Sequence, residues 1–300
     1  MRSSNKLKAD YGSISGSTLV CGVIADPVAH TISPQMYNAA FQKLGLDYIH
    51  IPFQVDRDNV PEAVKGIRAL NIQGVNVTMP HKLTVIPYLD EMEPLAKRIG
   101  AVNAIINTKG VLKGYNFDAP GFLQPLLDSG FQPEGKRVVV LGAGGGARAV
   151  TFALAGRGAN LTILNRLEEY SWAEKLGQEL SQYSGKGVPV LELKEEVLEK
   201  VLKEAELLVN ATCVGFDVLA DQTPVPERLL RADLPVYDIV FSPLKTRLLA
   251  EAEKKGAKII PGMEMIIGQG KIFFEVVTGA QAPLDVMRST LIKVLKAREK

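Results

Sequence analysis

A lysine and an aspartate are the residues whose types and placement are best suited to moving a proton. Lys82 ends the sequence GVNVTMPHK, and Asp118 ends GYNFD. Open α/β sheets bind their ligands just beyond the carboxyl ends of strands, where Thr78 and Lys82 are expected after the apolar run that precedes them. If Lys82 and Asp118 face a cleft together, they can carry a proton to or from a reacting oxygen. Spacing alone also fits ordinary surface charges, because exposed Lys and Asp residues are common.

A glycine-rich turn later in the chain has the spacing of a dinucleotide-binding loop. RVVVLGAGGGARA places G-x-G-x-x-A directly after an apolar strand and before an alanine-rich helix. The first glycine permits the tight turn, the second admits the pyrophosphate, and Ala147 allows close helix packing. The helix N-terminus favours an anion. We therefore expect cofactor phosphates at Gly142, Ala143, Gly144, Gly145, Gly146 and Ala147; the alternative is that these glycines only form the turn.

The end of the next expected strand carries opposing signals about the cofactor. The sequence there is NRLEE, which includes Asn165, Arg166 and Glu168. A guanidinium at this position can pair with the 2′-phosphate of NADP, whereas an acidic residue accepts a hydrogen bond from the 2′-hydroxyl of NAD. We expect the protein to use both NADP and NAD. The alternative is that these residues form only a solvated helix start.

The elements that must position these residues follow an α/β pattern. Short β-branched runs alternate with amphipathic stretches, which is typical of parallel sheets joined by crossover helices. We predict an N-terminal α/β substrate domain over 1–117 and a doubly wound Rossmann dinucleotide-binding domain over 118–269, with a C-terminal helix in 270–300 packing back on the first domain. A hairpin is expected around 104–112, and a helix that Ser33 caps and Gly45 ends. Strands are predicted at 19–24, 48–53, 74–77, 137–141, 161–164, 188–193, 207–210, 236–240 and 258–260.

Composition narrows the range of partners. The chain has 300 residues, 46% of them hydrophobic, which is enough for two packed domains. Its net charge of +2 is too small for a strong electrostatic attraction to nucleic acid or an anionic membrane. The polar N-terminus, expected to fray, lacks a leader-like apolar stretch, and no later run approaches a membrane span. These features predict a cytoplasmic protein that binds a small-molecule substrate; a homodimer is compatible with the sequence.

The two cysteines carry no spacing for metal or disulfide chemistry. Cys21 and Cys213 each lie in apolar, strand-like surroundings, so we expect both to be buried thiols in a reducing compartment. No metal site is expected. His30 and His81 are interpreted as structural or rim residues.

Motifs along nearly the whole chain resemble the shikimate dehydrogenase family in order and spacing. They are GVIADPVAHTISPQMYN, GVNVTMPHK, GAVNAI, GYNFD, GAGGGARA, NATCVGF, DIVFSPLKTRLL and GMEMIIGQG. The resemblance implies that Lys82 and Asp118 are the catalytic pair. It places the substrate carboxylate and hydroxyls at Thr31, Ser33, Thr78, Asn103 and Gln269, and the cofactor at residues 142–147 with Asn165, Arg166, Ile239 and Gly262.

Departures from the family pattern bear on the substrate. Thr31 stands where the family commonly has Ser, Phe241 where it commonly has Tyr, and NFDA where it usually has NTDG. Phe241 cannot donate the hydrogen bond that a Tyr hydroxyl would give a ligand. NRLEEY resembles the NRxDEF stretch of the quinate/shikimate branch, which uses both cofactors.

The resemblance implies reversible hydride transfer between NAD(P) and the C3 hydroxyl or ketone of shikimate or quinate. One alternative is a sibling dehydrogenase for another cyclic hydroxy or amino acid, which the altered pocket favours. A second is a ligand-sensing regulator without turnover. Such a regulator would be expected to lose the catalytic pair, and this chain has both Lys82 and Asp118.

Overall fold

The chain forms two six-stranded sheets, each covered by helices, in a computed structural model that describes residues 14–298. The part of the N-terminal tract at 1–13, which was predicted to fray, lies outside the described residues. No described helix is both long and apolar enough to cross a membrane.

The first sheet contains the β-branched runs of the N-terminal third. Its strands are β1 (Leu19–Ala25), β2 (Tyr48–Gln54), β3 (Gly74–Val77), β4 (Glu91–Met92), β5 (Ala104–Thr108) and β6 (Val111–Tyr115), in the order β2-β1-β3-β5-β6-β4. The first three are parallel, and β5 runs antiparallel to β3 and β6. This confirms the predicted hairpin. The helices that accompany this sheet are α1 (Ser33–Leu44), α2 (Val60–Ala69) and α3 (Pro94–Ile99).

The second sheet is parallel throughout. Its strands are β7 (Arg137–Leu141), β8 (Asn160–Asn165), β9 (Val190–Glu192), β10 (Leu207–Asn210), β11 (Val236–Asp238) and β12 (Ile259–Pro261), in the order β12-β11-β10-β7-β8-β9. Its helices are α5 (Gly145–Ala155), α6 (Tyr170–Ser184), α7 (Glu195–Leu202) and α8 (Arg247–Lys254). The strand order reverses between β7 and β10, which makes a doubly wound sheet with a ligand crevice expected at that switch point. The predicted α/β class is confirmed.

Two predicted strands are shorter in the structure because side chains take their backbone N–H groups. Val240 N donates to Asp238 Oδ1 at 3.0 Å, so β11 ends at Asp238 rather than at 240. Val188 N donates to Ser181 Oγ at 3.1 Å, and Pro189 has no N–H, so β9 starts only at Val190.

Three more helices join the two sheets. They are α4 (Asp118–Asp128), α9 (Gly262–Thr278) and α10 (Leu284–Arg298). The segment 270–300 is therefore not one helix: it holds the end of α9 and the separate α10, which packs against α1. The division of the chain into domains at Asp118 stays a prediction.

The crossing of α4 and α9 requires the backbones to touch. A Cβ added at Gly121 would lie 2.6 Å from Gln269 N, and one at Gly268 would lie 2.8 Å from Gly121 O. Only glycine permits that approach without a shift of one helix. The contact fixes the start of α4 beside the middle of α9, and so brings Asp118 and Gln269 toward the same cleft.

Candidate active site

The lysine and aspartate selected from the sequence form an ion pair. Lys82 Nζ lies 2.5 Å from Asp118 Oδ2, although the residues are 36 apart in the chain. Their side chains are only 16% and 8% exposed. Lys82 occupies the turn after β3, where Val102 N donates to its carbonyl at 2.8 Å, and Asp118 is the first residue of α4. The backbone on both sides of the pair is therefore fixed by the turn after β3 and by the start of α4.

Two buried asparagines hold the start of α4. Asn116 Nδ2 donates to Ala101 O at 3.0 Å, and its Oδ1 accepts from Ala119 N at 3.2 Å. Asn103 Oδ1 accepts from Phe117 N at 2.7 Å. Because Oδ1 of Asn103 is taken by the fold, its Nδ2 is the atom suited to donate to a ligand.

Ser33 does not have the capping role predicted for it. Ile32 is the residue before α1, and no side chain caps that helix. Ser33 is already the first helical residue, so its hydroxyl is not placed to reach the N–H groups of the first turn. Its Oγ is buried and has no hydrogen-bond partner within 14–298. A buried hydroxyl without a partner is costly unless a ligand satisfies it, which agrees with the substrate-binding role expected of Ser33.

Asn76 is a polar residue of the site that sequence reasoning missed. It lies on β3, two residues before Thr78, which follows the end of the strand at Val77. Burial lowers the pKa of His50 to about 4, so the ring is neutral, and its Nε2 donates to Asn76 Oδ1 at 3.1 Å. That bond orients Nδ2 of Asn76 away from His50. The signal in the sequence was an amide in an otherwise apolar four-residue strand.

The remaining substrate-side residues lie on α9 and after β11. Gln269 is 9% exposed and donates from Nε2 to Ile266 O at 3.2 Å. Phe241 is half-buried, and its ring lies 5.7 Å from that of Phe216. His81 is buried, and its Nε2 contacts Val55 O at 2.7 Å, so it has the structural place expected for it.

The glycine-rich loop joins β7 to α5 and faces the ion pair. Gly142 has φ +102°, and an added Cβ would lie 2.8 Å from Ala211 O. Within 14–298, and leaving aside its chain neighbours, no atom lies within 4 Å of a Cβ added at Gly144, which leaves the open backbone that a pyrophosphate needs. A Cβ added at Gly145 would lie 3.5 Å from Lys82 Cδ. The loop and Lys82 therefore line one cleft.

Two further residues expected at the cofactor lie together beside this loop. Ile239 N donates to Asn210 O at 3.0 Å, and the Ile239 carbonyl lies against Gly262, where an added Cβ would be 2.5 Å from it. Ile239 Cδ1 lies 2.9 Å from a Cβ added at Gly146.

A buried polar network supports the loops after β10 and β11, and it was not predicted. Asp238 accepts hydrogen bonds from Thr246 Oγ1 at 2.7 Å and Asn210 Nδ2 at 2.9 Å. Burial raises the pKa of the Asp238 carboxyl to about 6 despite these bonds. Asn210 Nδ2 also donates to Val214 O at 3.1 Å, which shapes the loop that holds Cys213. Cys213 is exposed, contrary to prediction, because it lies in this loop beyond the strand; Cys21 is buried.

The end of β8 brings the expected ribose-binding residues together. Asn165 is buried and donates from Nδ2 to Glu169 O at 2.8 Å. Arg166 forms an ion pair with Glu169, and the side chain of Glu168, predicted to bind the ribose, is exposed. Among residues 14–298 there is no cluster of three or more His, Cys, Asp or Glu suited to a metal ion.

A parallel doubly wound sheet whose glycine-rich loop faces a Lys–Asp pair defines an oxidoreductase-type α/β protein. A family model described as the shikimate dehydrogenase substrate binding domain matches residues 23–105. Shikimate dehydrogenase (NADP(+)) of Dehalococcoides mccartyi (strain CBDB1) is 44% identical over 280 residues, which cover 93% of this chain and 97% of that relative. The chain belongs to the shikimate dehydrogenase family.

Solved structures agree with this membership. The shikimate 5-dehydrogenase of Listeria monocytogenes in complex with shikimate and NAD has a TM-score of 0.87 and 37% identity, covering 93% of this chain and 98% of that one. The quinate dehydrogenase of Corynebacterium glutamicum in complex with NAD has a TM-score of 0.84 and 27% identity, covering 92% of this chain and 99% of that one.

Proposed function

We propose that the protein is a shikimate dehydrogenase that transfers a hydride reversibly between NAD(P) and the C3 hydroxyl or ketone of shikimate. The observation that carries the proposal is the Lys82–Asp118 pair at 2.5 Å, beside the Gly145 turn of the glycine-rich loop. A proton donor and the dinucleotide loop thus face one cleft. Family membership supports the choice of substrate.

In this mechanism the nicotinamide cofactor supplies or accepts the hydride. Lys82 donates a proton to the substrate oxygen during reduction and takes it back during oxidation. Asp118 keeps the amine of Lys82 directed toward the oxygen. The loop backbone and the N-terminus of α5 bind the pyrophosphate, and the cleft that the loop shares with Lys82 holds the reacting carbon.

The substrate ring is held by polar side chains on or next to the first sheet and α1, and on α9. We assign the carboxylate and hydroxyls to Thr31, Ser33, Thr78, Asn103 and Gln269, and we add Asn76 to this set. The buried Ser33 hydroxyl contributes most to selectivity, because a ligand lacking its partner group would leave it unpaired. In this assignment the substrate-binding part comprises 1–117 and the dinucleotide-binding part 118–269.

Both cofactors and a second substrate belong to the proposal. Arg166 attracts the 2′-phosphate of NADP, and Glu168 accepts from the 2′-hydroxyl of NAD. Quinate is the second candidate substrate, because Phe241 removes the hydroxyl that a Tyr would offer shikimate, and a quinate dehydrogenase is among the structural neighbours.

The test is a two-by-two assay of the purified full chain. NAD and NADP are each combined with shikimate and with quinate, and the absorbance of the reduced cofactor is followed. We expect turnover of shikimate with both cofactors. If shikimate is oxidised with neither NAD nor NADP, the proposal is refuted. If quinate is oxidised in that case, quinate replaces shikimate as the proposed substrate.

A further inference from the structure

The arginine expected to bind the cofactor's 2′-phosphate already has an anionic partner. Arg166 Nη2 makes a hydrogen-bonded ion pair with Glu169 Oε1. The arginine side chain is 63% exposed and the glutamate 29% exposed, so the pair lies at the surface with its carboxylate partly covered. A 2′-phosphate reaching Arg166 must meet this carboxylate.

Local hydrogen bonds hold the glutamate in that place. Residues Leu167–Glu169 form a single 3-10 turn, in which Glu169 N donates to Arg166 O at 3.2 Å. Asn165 Nδ2 donates to Glu169 O at 2.8 Å and fixes the end of the turn. Arg166 is the residue before this turn, and the ion pair holds the Glu169 carboxylate against its guanidinium, whereas the Glu168 side chain is exposed.

We propose that Glu169 is a specificity-determining residue that competes with the 2′-phosphate of NADP for Arg166. This inference rests on the proposed use of nicotinamide cofactors. The 2′-phosphate of NADP brings up to two negative charges next to the Glu169 carboxylate. It also needs the Arg166 guanidinium that this carboxylate already binds. NAD has a neutral 2′-hydroxyl and leaves the pair intact. Glu169 therefore weakens NADP binding selectively and keeps NAD competitive.

The two glutamates of the turn have different signatures. Glu168, as a ribose-binding residue, supports NAD, so its neutralisation lowers NAD affinity. Glu169 opposes NADP, so its neutralisation raises NADP affinity. Both substitutions raise the affinity for NADP relative to that for NAD. Only the separate dissociation constants of NADP and of NAD distinguish the two roles.

The expected effect follows from the exposure of the pair. Freeing Arg166 from an exposed pair and removing one repulsive charge should together tighten NADP binding by roughly 3- to 10-fold. NAD binding should change by less than about 2-fold, because no phosphate is involved. Since the pair is exposed, added salt should shrink the gain.

The experiment measures dissociation constants of NADP and of NAD for the full chain without substrate, by calorimetry. The variants are Glu169→Gln, Arg166→Met, the double variant, and the matched control Glu174→Gln, which removes an exposed charge from α6. Thermal unfolding checks that each variant folds. We expect tighter NADP binding in Glu169→Gln, weaker NADP binding in Arg166→Met, and a clearly smaller gain from Glu169→Gln in the Arg166→Met background.

An effect of Glu169→Gln no larger than that of Glu174→Gln would overturn the inference. So would an equally large gain in the Arg166→Met background, because the glutamate would then act only through its field and not by competition for Arg166. These dissociation constants can be measured without turnover. If both cofactors bind and shikimate is not oxidised, the proposed substrate is refuted, and the binding data still test the role of Glu169. If neither cofactor binds the wild-type chain, both are refuted.

Discussion

Replacing Lys82 by methionine removes the proton donor while keeping most of the apolar stem of the side chain. The substitution affects both stability and turnover. The pair is joined at 2.5 Å with side chains 16% and 8% exposed, so the change leaves the Asp118 carboxylate buried without its partner. Asp118 begins α4, whose free N–H groups offset part of this loss. We expect the free energy of unfolding to fall by roughly 3 kcal/mol, the lower end for a broken buried pair.

The effect on turnover is larger and separable from stability. At saturating substrate, kcat should fall by roughly 100-fold or more, the usual scale for losing general acid–base help. The dissociation constant of NADP should stay within about 2-fold, because the Gly142–Ala147 loop that holds the pyrophosphate is a separate element. Lys82→Arg keeps the positive charge beside Asp118 and cannot release a proton at neutral pH. It should therefore recover much of the stability and little of the turnover.

The assay follows the absorbance of the reduced cofactor with shikimate, and stability is measured by urea unfolding. Lys97→Met is the matched control, since it removes an exposed lysine from α3. Asp118→Asn should resemble Lys82→Met, and the double variant should lose much less than the product of the single effects if the pair acts as one unit. Near wild-type kcat in a folded Lys82→Met protein, or wild-type kcat in Lys82→Arg, would remove proton transfer by Lys82 from the mechanism.

Two other perturbations test the pocket and the buried network. Phe241→Tyr should tighten shikimate binding about 5-fold, by one neutral hydrogen bond of roughly 1 kcal/mol; unchanged or weaker affinity in the folded variant would place the ligand away from that ring. Burial raises the pKa of Asp238 from 3.8 to about 6, so the folded chain holds this proton more tightly than the unfolded chain. Its stabilisation is full below about pH 4 and is lost toward pH 6, a change of roughly 3 kcal/mol. Urea unfolding should show this loss relative to Asp238→Asn, and a difference that does not vary with pH would contradict it.

The amino-acid sequence alone was sufficient where neighbouring residues decide the structure. The apolar run, the glycines and the alanine-rich helix from Arg137 to Ala155 predicted a strand, turn and helix, because each depends on residues a few positions away. The hairpin of β5 and β6 followed from two alternating runs around a short turn. The family motifs selected Lys82 and Asp118 without any knowledge of their distance.

Local reasoning was wrong or incomplete where side-chain direction decides the outcome. Ser33 was predicted to cap α1 and instead starts it, because the position of the first helical residue depends on how the preceding loop packs. Cys213 was predicted to be buried and lies exposed in a loop that Asn210 shapes. The ion pair between Arg166 and Glu169 was not predicted, because the sequence does not show that the turn after β8 is a 3-10 turn.

Only the tertiary structure decided how the cleft is assembled. Lys82 and Asp118 are 36 positions apart in the chain, and their contact depends on the turn after β3 and on the start of α4. That start is fixed by the touching backbones at Gly121 and Gly268. Periodicity reports which face of an element is apolar, since it reflects neighbours within one helix or strand. Contacts between distant elements depend instead on packing summed over the whole fold, which no single segment of the sequence contains.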